Sequence, residues 1–139
     1  MLRTTRLLLL GVTIGVACAA PDRDLAERIR SAAQGDSLVL TDVATFAWDT
    51  LFVFGPYTPS AEINRALGFS WSGSDRIEAS DTFYLLVFVA KGKVTRFVEQ
   101  PRHGADLADC GRSRAFVRSA AVFHFDTDSL GWRRCTRAA

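Results

Sequence analysis

The side chains best suited to acid–base chemistry near neutral pH are two histidines, His103 and His124. Imidazole titrates close to neutrality, so either could act as a general acid or base. Neither histidine falls in a recognised catalytic motif. Segment 68–72 resembles the start of a nucleophile elbow, but serine stands where the closing glycine belongs and the segment follows a predicted helix. The sequence therefore predicts no catalytic residue, and a small hydrolase or metal-dependent enzyme using His103 or His124 is the alternative hypothesis.

Metal and cofactor chemistry has little support in the spacing of the polar residues. Four side chains are suitable zinc ligands but lack the close paired spacing of zinc motifs: His103, Cys110, His124 and Cys135. Two aspartate pairs fit turn chemistry better than a calcium loop: Asp106 with Asp109, and Asp126 with Asp128. No glycine-rich phosphate loop or dinucleotide fingerprint is present. We therefore expect no metal and no cofactor.

The first 20 residues have the three-part order of a secretory signal. Arg3 and Arg6 precede an uncharged apolar run over residues 7–16, and small residues follow. The run is shorter than the roughly 20 residues that a membrane-spanning helix needs. We predict a signal peptide over residues 1–19 and one exported domain over residues 20–139.

Cys18 makes the position of the cut an open question. Ala17-Cys18-Ala19 fits the small-x-small rule of the ordinary signal peptidase, whereas residues 16–18 look like the end of a lipoprotein signal. In the second case Cys18 becomes the first residue and carries a lipid that anchors the protein to a membrane. Lipoprotein signals usually place leucine three residues before that cysteine, and here Gly15 stands there. Both alternatives remain.

The other two cysteines support export independently. Either cut leaves Cys110 and Cys135 as an even pair, which predicts a disulfide in an oxidising compartment. Closing this loop of about 25 residues would stabilise the fold by about 3 kcal/mol on the chain-entropy model. The alternative is a pair of buried free thiols.

The charge balance argues against a nucleic-acid partner. The formal net charge of +2 is due to Arg3 and Arg6, since the rest of the chain has 15 basic and 15 acidic residues. A neutral domain lacks the electrostatic footprint of a nucleic-acid binder. The excess that needs explaining is apolar, because 15 aromatic residues lie in this small domain. Either both faces of a sheet are covered, or one face is a groove for a protein or an apolar ligand.

Hydrophobic periodicity predicts two short helices and four or five strands. The first helix covers residues 22–33 with Asp22 as its cap, and the second has Thr58 as its cap, Pro59 as its first residue and Gly68 after its end. Segment 70–81 reads as a loop pinned at Trp71 and Ile77. The predicted strands are 37–41, 50–54, 83–90 and 93–99, followed by a hairpin of 121–125 with 132–136. Residues 91–92 are predicted to form a two-residue hairpin turn.

These elements predict an α+β fold in two layers, with an antiparallel meander of about four or five strands and both helices packed on one face. Residues 83–90 form a continuous apolar run. Such a run is expected where both faces of a strand are covered.

One segment carries a resemblance. Residues 46–58 contain a Trp-Asp pair, an apolar strand and Pro-Tyr-Thr, and a short helix follows to Phe69. This pattern resembles a segment of small uncharacterised exported bacterial proteins and lipoproteins. The resemblance implies a location and a shared fold, but no reaction or ligand. The segment itself predicts a rigid corner, which either anchors the fold or displays Trp48, Asp49 and Tyr57 for recognition.

Export, neutrality and the missing catalytic set predict a binding or interaction domain of the cell envelope rather than an enzyme. It would be periplasmic or anchored by lipid at Cys18. Its expected partner is an envelope protein or a small apolar ligand, and membrane contact is expected only through the Cys18 lipid.

Overall fold

The computed structural model describes residues 19–111 and 114–138. Cys18 and the rest of the predicted signal before Ala19 lie outside these residues. The described chain forms helices and two antiparallel sheets, which confirms the predicted α+β class. The helices are α1 (Arg23–Ala32), α2 (Leu40–Val43), α3 (Ser60–Leu67) and α4 (Ala108–Gly111), with a 3-10 turn at Arg118–Ala120. The strands are β1 (Ser37–Val39), β2 (Thr50–Phe54), β3 (Phe83–Ala90), β4 (Lys93–Pro101), β5 (Arg114–Val117), β6 (Val122–Thr127) and β7 (Arg133–Ala138).

Helix α1 begins as predicted, with Asp22 as its cap. The Asp22 carboxylate accepts a hydrogen bond from the Leu25 N–H at 2.9 Å and pairs with the Arg96 guanidinium at 2.9 Å. Leu25 and Ile29 lie four residues apart on one helical face, and both are fully buried. The thin apolar stripe of α1 is therefore enough to seat it on the core.

The start of α3 differs from the prediction by one residue. The helix begins at Ser60 and its cap is Pro59, whose side chain cannot cap. The Thr58 hydroxyl instead donates to the Gly55 carbonyl at 2.7 Å, so this side chain closes the preceding turn. Gly68 ends the helix at φ 81°, a conformation that glycine adopts without a steric penalty.

The larger sheet has four strands in the order β4-β3-β2-β5. Because successive side chains of a strand point to opposite faces, β3 supplies two separate cores. Its side chains enter the larger core at Tyr84, Leu86 and Phe88, and the smaller core at Leu85, Val87 and Val89. The continuous apolar run over residues 83–90 is thus explained by cover on both faces.

The two longer helices lie on opposite faces of this sheet, so the prediction that both pack on one face is wrong. Leu25 and Ile29 of α1 join the larger core, whereas Ile63 and Leu67 of α3 join the smaller one. Loop residue Ile77 is fully buried in the smaller core, and Trp71 packs against it, as the predicted pinned loop requires. A strand without a polar face must be covered on both sides, and each side of the sheet is covered by one of these helices.

A second sheet, absent from the predicted meander, has three strands in the order β1-β6-β7. The predicted C-terminal hairpin is present, and its arms, β6 and β7, begin one residue later and end two residues later than predicted. A register shift lies between His124 and Phe125 in this pairing. Leu38, Phe123 and Phe125 turn into the larger core and seat this sheet on it. Strand β5, in a segment with weak patterning, gives the core only Phe116 as a large side chain.

The turn between β3 and β4 is the predicted two-residue hairpin. Lys91 and Gly92 have φ values of 51° and 72°, which is the pattern of a type I′ turn. The Asp49 carboxylate accepts a hydrogen bond from the Lys91 N–H at 2.9 Å. This bond stabilises a lysine in a conformation that is uncommon for residues other than glycine.

A disulfide ties the second sheet to α4, and a buried polar pair lies beside it. Cys110 of α4 is bonded to Cys135 of β7, with 5.6 Å between their Cα atoms, so the predicted disulfide is confirmed. Nearby, the Tyr84 hydroxyl donates to the Asp106 carboxylate at 2.8 Å, and Cys135 N–H donates to the Asp106 carbonyl at 2.8 Å. Asp106 therefore connects β3 to β7.

Replacing both cysteines tests the contribution of the disulfide. The Cys110→Ala, Cys135→Ala variant should lose about 3 kcal/mol of unfolding free energy, because the unfolded chain regains the freedom of the closed loop. Urea unfolding at neutral pH measures this loss, and wild-type protein reduced in urea is the matched control. Two alkylatable thiols in unreduced wild-type protein would contradict the bond.

Tyr84 gives the fold a dependence on alkaline pH. Burial, with the Asp106 carboxylate, raises the pKa of Tyr84 to about 12. Because this pKa lies above the ordinary value of about 10, the stabilisation is complete below pH 10 and is lost as the pH rises through 12. The chain has two tyrosines, so the Tyr57→Phe variant isolates Tyr84, and its tyrosinate absorbance should develop near pH 12. Absorbance developing near pH 10 in that variant would contradict the buried bond.

Candidate functional site

Trp48 and Asp49, two of the residues predicted for a recognition corner, are engaged in the fold. Trp48 is 3% exposed, and its indole N–H donates to the Ala44 carbonyl at 3.1 Å. The Arg118 guanidinium lies over its ring at 4.9 Å. Asp49 holds the hairpin turn through Lys91. Both side chains thus have structural contacts that account for their presence.

Tyr57, the third residue of that corner, has a different environment. Tyr57 is 59% exposed and its φ is 61°, while its N–H donates to the carbonyls of Ile77 and Ser80 at 3.1 and 3.2 Å. Tyr57 follows the C-terminal end of β2, whereas Trp48 and Asp49 precede its N-terminal end. The structure does not bring the three together.

His124 lies on the outer face of β6, beside a surface concavity of about 550 Å³. Asp36, Asp126 and Thr136 line the same concavity. No hydrogen bond joins the His124 imidazole to these groups. The histidine is partly buried by its neighbours in the sheet and has no arrangement typical of a general base.

His103 follows β4 and borders two adjoining concavities of about 380 and 470 Å³ between α1 and the edge of β4. We call this surface the α1 groove. The concavity nearer the start of α1 has an apolar floor of Pro21, Ala26 and Pro101, and the rims of both concavities carry both signs of charge. The lining residues are Pro21, Asp22, Arg23, Ala26, Glu27, Arg30, Ser31, Gln34, Glu99, Pro101, His103 and Gly104.

Salt bridges neutralise most charges along the α1 groove. Glu27 pairs with Arg30 at 2.5 Å on the helix surface, and Glu99 pairs with Arg76 at 2.8 Å across the sheet edge. Arg23 lines the groove as an exposed cation. Such a mixed surface matches an uncharged or mixed-charge ligand better than a polyanion.

Trp132 lies beside the α1 groove, against His103. Its ring contacts the His103 imidazole edge to face, with 5.5 Å between the ring centroids, and is 42% exposed. Leu130, two residues earlier, is 78% exposed. Together they make an apolar tip on the β6–β7 hairpin.

Asp128 builds the turn that holds this tip. Its carboxylate accepts the N–H groups of Leu130 and Trp132 at 2.9 and 3.0 Å and pairs with Arg134 at 2.7 Å. The Trp132 and Leu130 amides, with the Arg134 charge, lower the pKa of Asp128. The sequence predicts a turn at Asp128 and a strand at Trp132, and neither prediction indicates that the Trp132 ring contacts His103, about 30 residues earlier in the chain.

A further concavity, of about 520 Å³, lies at the outer edge of β4, and we call it the edge cleft. Loop residues Phe69, Ser70 and Trp71 form one wall, and Ala19 and Ala20 form the other. Asp22 and residues 92–97 complete it. The edge cleft is where the described chain begins.

The position of Trp71 in the edge cleft is fixed by its neighbours. The Trp71 N–H donates to the Asn64 side chain at 2.9 Å, and its ring meets Phe97 edge to face at 5.2 Å. A Cβ on Gly73 would lie 2.4 Å from the Trp71 ring, so only glycine leaves room for it. The wall is therefore preorganised.

The described residues bring together no catalytic or metal-binding set. Within residues 19–111 and 114–138, no hydrogen bond joins either imidazole to a serine, cysteine or carboxylate. Cys110 and Cys135 are consumed by the disulfide, which overturns the four-ligand zinc alternative. No group of three or more histidine, cysteine, aspartate or glutamate side chains in that part of the chain could hold a metal ion.

Comparison with protein-family models, with curated proteins and with solved structures gives no match to this chain. The described residues contain no helix long and apolar enough to cross a membrane. The functional conclusion therefore depends on the site geometry and on the sequence features.

Removing the Asp128 carboxylate should release the apolar tip. In the Asp128→Ala variant the Leu130 and Trp132 amides lose their acceptor, so their hydrogen exchange should accelerate and the ring-current shift of His103 should shrink. Acid should do the same to the wild type, because a carboxyl group with a lowered pKa stabilises the fold above its ordinary pKa and stops doing so as the pH falls through the lowered value. NMR spectroscopy measures both effects.

The matched control is Asp126→Ala, which removes an exposed carboxylate two residues away. It should leave the His103 and Trp132 signals in place. Equal exchange rates in the two variants would show that Asp128 does not hold the tip.

Proposed function

We propose that this protein is an exported, non-enzymatic binding domain of the cell envelope and that the α1 groove with Trp132 binds its partner. The observation that carries the proposal is the exposed Trp132 ring, fixed against His103 by the Asp128 turn. The three-part signal and the disulfide, which suits an oxidising compartment, support export. A lipid at Cys18 would hold the domain at a membrane.

An exposed tryptophan with a fixed position is typical of binding hot spots. A folded domain gains nothing by holding a large aromatic ring in water, and it loses less entropy on binding when that ring is already fixed. Leu130 extends the apolar surface from the tip. The hydrogen bonds of Asp128 thus hold Trp132 in a position suited to contact with a partner, and the isolated domain does not need this position for its own fold.

The shape of the α1 groove favours a protein partner. Its two concavities run along α1 on either side of Arg30 and His103, and both are open to solvent. An apolar floor between charged rims is the usual anatomy of a protein interface. An envelope protein with an apolar ridge flanked by both signs of charge would fit, and a small apolar ligand would fill only one concavity.

Binding rather than catalysis is supported by the environment of His103. The His103 imidazole packs on an indole ring, and no serine, cysteine or carboxylate of the described chain is bonded to it. A general base needs a partner that orients it toward a substrate proton. His103 fits better as a contact surface for a partner.

Site-specific photocrosslinking in the cell that makes the protein tests this proposal. A photoreactive residue at Ala26 in the α1 groove should give one dominant adduct, and the same residue at Glu62 on α3 should not. Trp132→Ala should lower the Ala26 adduct by about tenfold or more, as expected for a hot-spot residue.

Tyr57→Ala is the matched control, since it removes the other exposed aromatic ring. It should leave the Ala26 adduct unchanged. An adduct that survives Trp132→Ala, or one that depends on Tyr57, would refute the assignment of the site. An adduct of equal yield from Glu62 would refute it as well.

A further inference from the structure

One end of the four-stranded sheet lies where the described chain begins. Ala19 lines the edge cleft beside Gly92 and Lys93, at the start of β4. If the signal is cut before Cys18, that residue precedes the domain at this end. An anchor at Cys18 would hold this end within one residue of the membrane.

The same end carries both lysines of the chain, Lys91 and Lys93. They flank the type I′ turn and are exposed, and neither ammonium group pairs with a carboxylate of the described chain. Asp49 lies at the turn as well, bound to the Lys91 N–H, so the turn has a net charge of about +1. Arg96 is neutralised by Asp22.

Apolar side chains lie at the same end of the sheet as these lysines. Phe69 and Trp71 are partly buried in the wall of the edge cleft, next to residues 92–97. Val117 is 58% exposed and belongs to the same end, because Thr50 pairs with Val117 on one side and with Val89 on the other. Aromatic rings beside lysines are typical of surfaces that lie at the headgroup level of a bilayer.

We propose that this end of the domain, formed by Phe69, Trp71, Lys91, Lys93 and Val117, rests on an anionic bilayer surface. We call it the bilayer end. The lysines would contact headgroup phosphates, and the aromatic rings and Val117 would enter the interfacial layer. The proposal rests on the proposed export, but not on the partner of the α1 groove.

The orientation that results is consistent with the proposed binding site. His103 follows Pro101, the last residue of β4, and Lys93 is the first. A strand rises about 3.3 Å per residue, so the length of β4 separates the two ends by roughly 25 Å. With the bilayer end on the membrane, Trp132 and the part of the α1 groove beside His103 lie on the side of the domain away from the bilayer and stay accessible to a partner.

Paramagnetic lipids provide the test. The full chain, purified in the form that the cell makes, is placed with nanodiscs of phosphatidylcholine and phosphatidylglycerol that contain a nitroxide headgroup lipid. Amide signals of residues 69–71, 91–93 and 117 should be attenuated most. Signals of 128–132 and of Tyr57 should be little affected.

Two charge reversals of equal size refine the test. A lysine that faces an anionic surface strengthens binding to it about fivefold. Lys93→Glu should therefore lower the membrane-binding constant, obtained from the attenuation at increasing nanodisc concentration, by at least that factor. Arg28→Glu, on the exposed face of α1, should leave it unchanged. Both positions are exposed, so neither change should disturb folding.

Three outcomes would overturn the proposal. The first is attenuation that is spread evenly over the chain or centred on residues 130–132. The second is attenuation that changes neither with the phosphatidylglycerol content nor with Lys93→Glu. The third is a lack of attenuation by lipid together with chemical-shift changes at residues 93–97 when a peptide is added, which would make the edge cleft a peptide site. The Ala26 crosslink reports on the α1 groove separately. A normal crosslink with no attenuation refutes the bilayer end alone, and the reverse result refutes the partner site alone.

Discussion

The structure depends on the need of β3 to be covered on both faces. A strand with apolar side chains in every position cannot lie on the surface of a sheet, since either exposed face would leave a large patch in water. Strands β2 and β4 flank it, α1 and the second sheet cover one side, and α3 with loop 70–81 covers the other. These requirements place α1 along β4, and the α1 groove exists because that helix sits near a sheet edge.

The second constraint is the connection between the sheets. The three-stranded sheet touches the larger core mainly through Leu38, Phe123 and Phe125. Asp106 and the disulfide tie its last strand to the segment that follows β4. His103 lies in that segment, and Trp132 precedes β7. The contact between the two rings is therefore a consequence of how the sheets are joined.

Local sequence signals predicted the elements well and their arrangement less well. The type I′ turn at Lys91-Gly92, the Asp22 cap and the buried β3 follow from residues close in the chain, and each is confirmed. Helix placement was wrong because an all-apolar strand does not say which element covers which face. Strand β5 was missed, since Phe116 is its only large core residue and a short strand with one such residue shows no alternation.

The candidate site was the least predictable part. The Trp132–His103 contact joins residues about 30 positions apart. It depends on the Asp128 carboxylate, and the sequence predicts only a turn at Asp128. Trp48 and Asp49 were singled out by their pattern, but their hydrogen bonds are internal. A sequence pattern alone cannot distinguish a residue that stabilises a turn through internal contacts from a residue that the turn exposes for binding.

The burial of the disulfide sets an order for the maturation of the chain. Cys110 is 1% exposed and Cys135 is fully buried, so neither an oxidant nor an oxidoreductase reaches the sulfurs once the larger core has closed. Thiol exchange requires access. The bond must therefore form before the three-stranded sheet docks, or during a later local opening. A chain that folded first would keep two hidden thiols, and its oxidation would proceed at the rate of that opening.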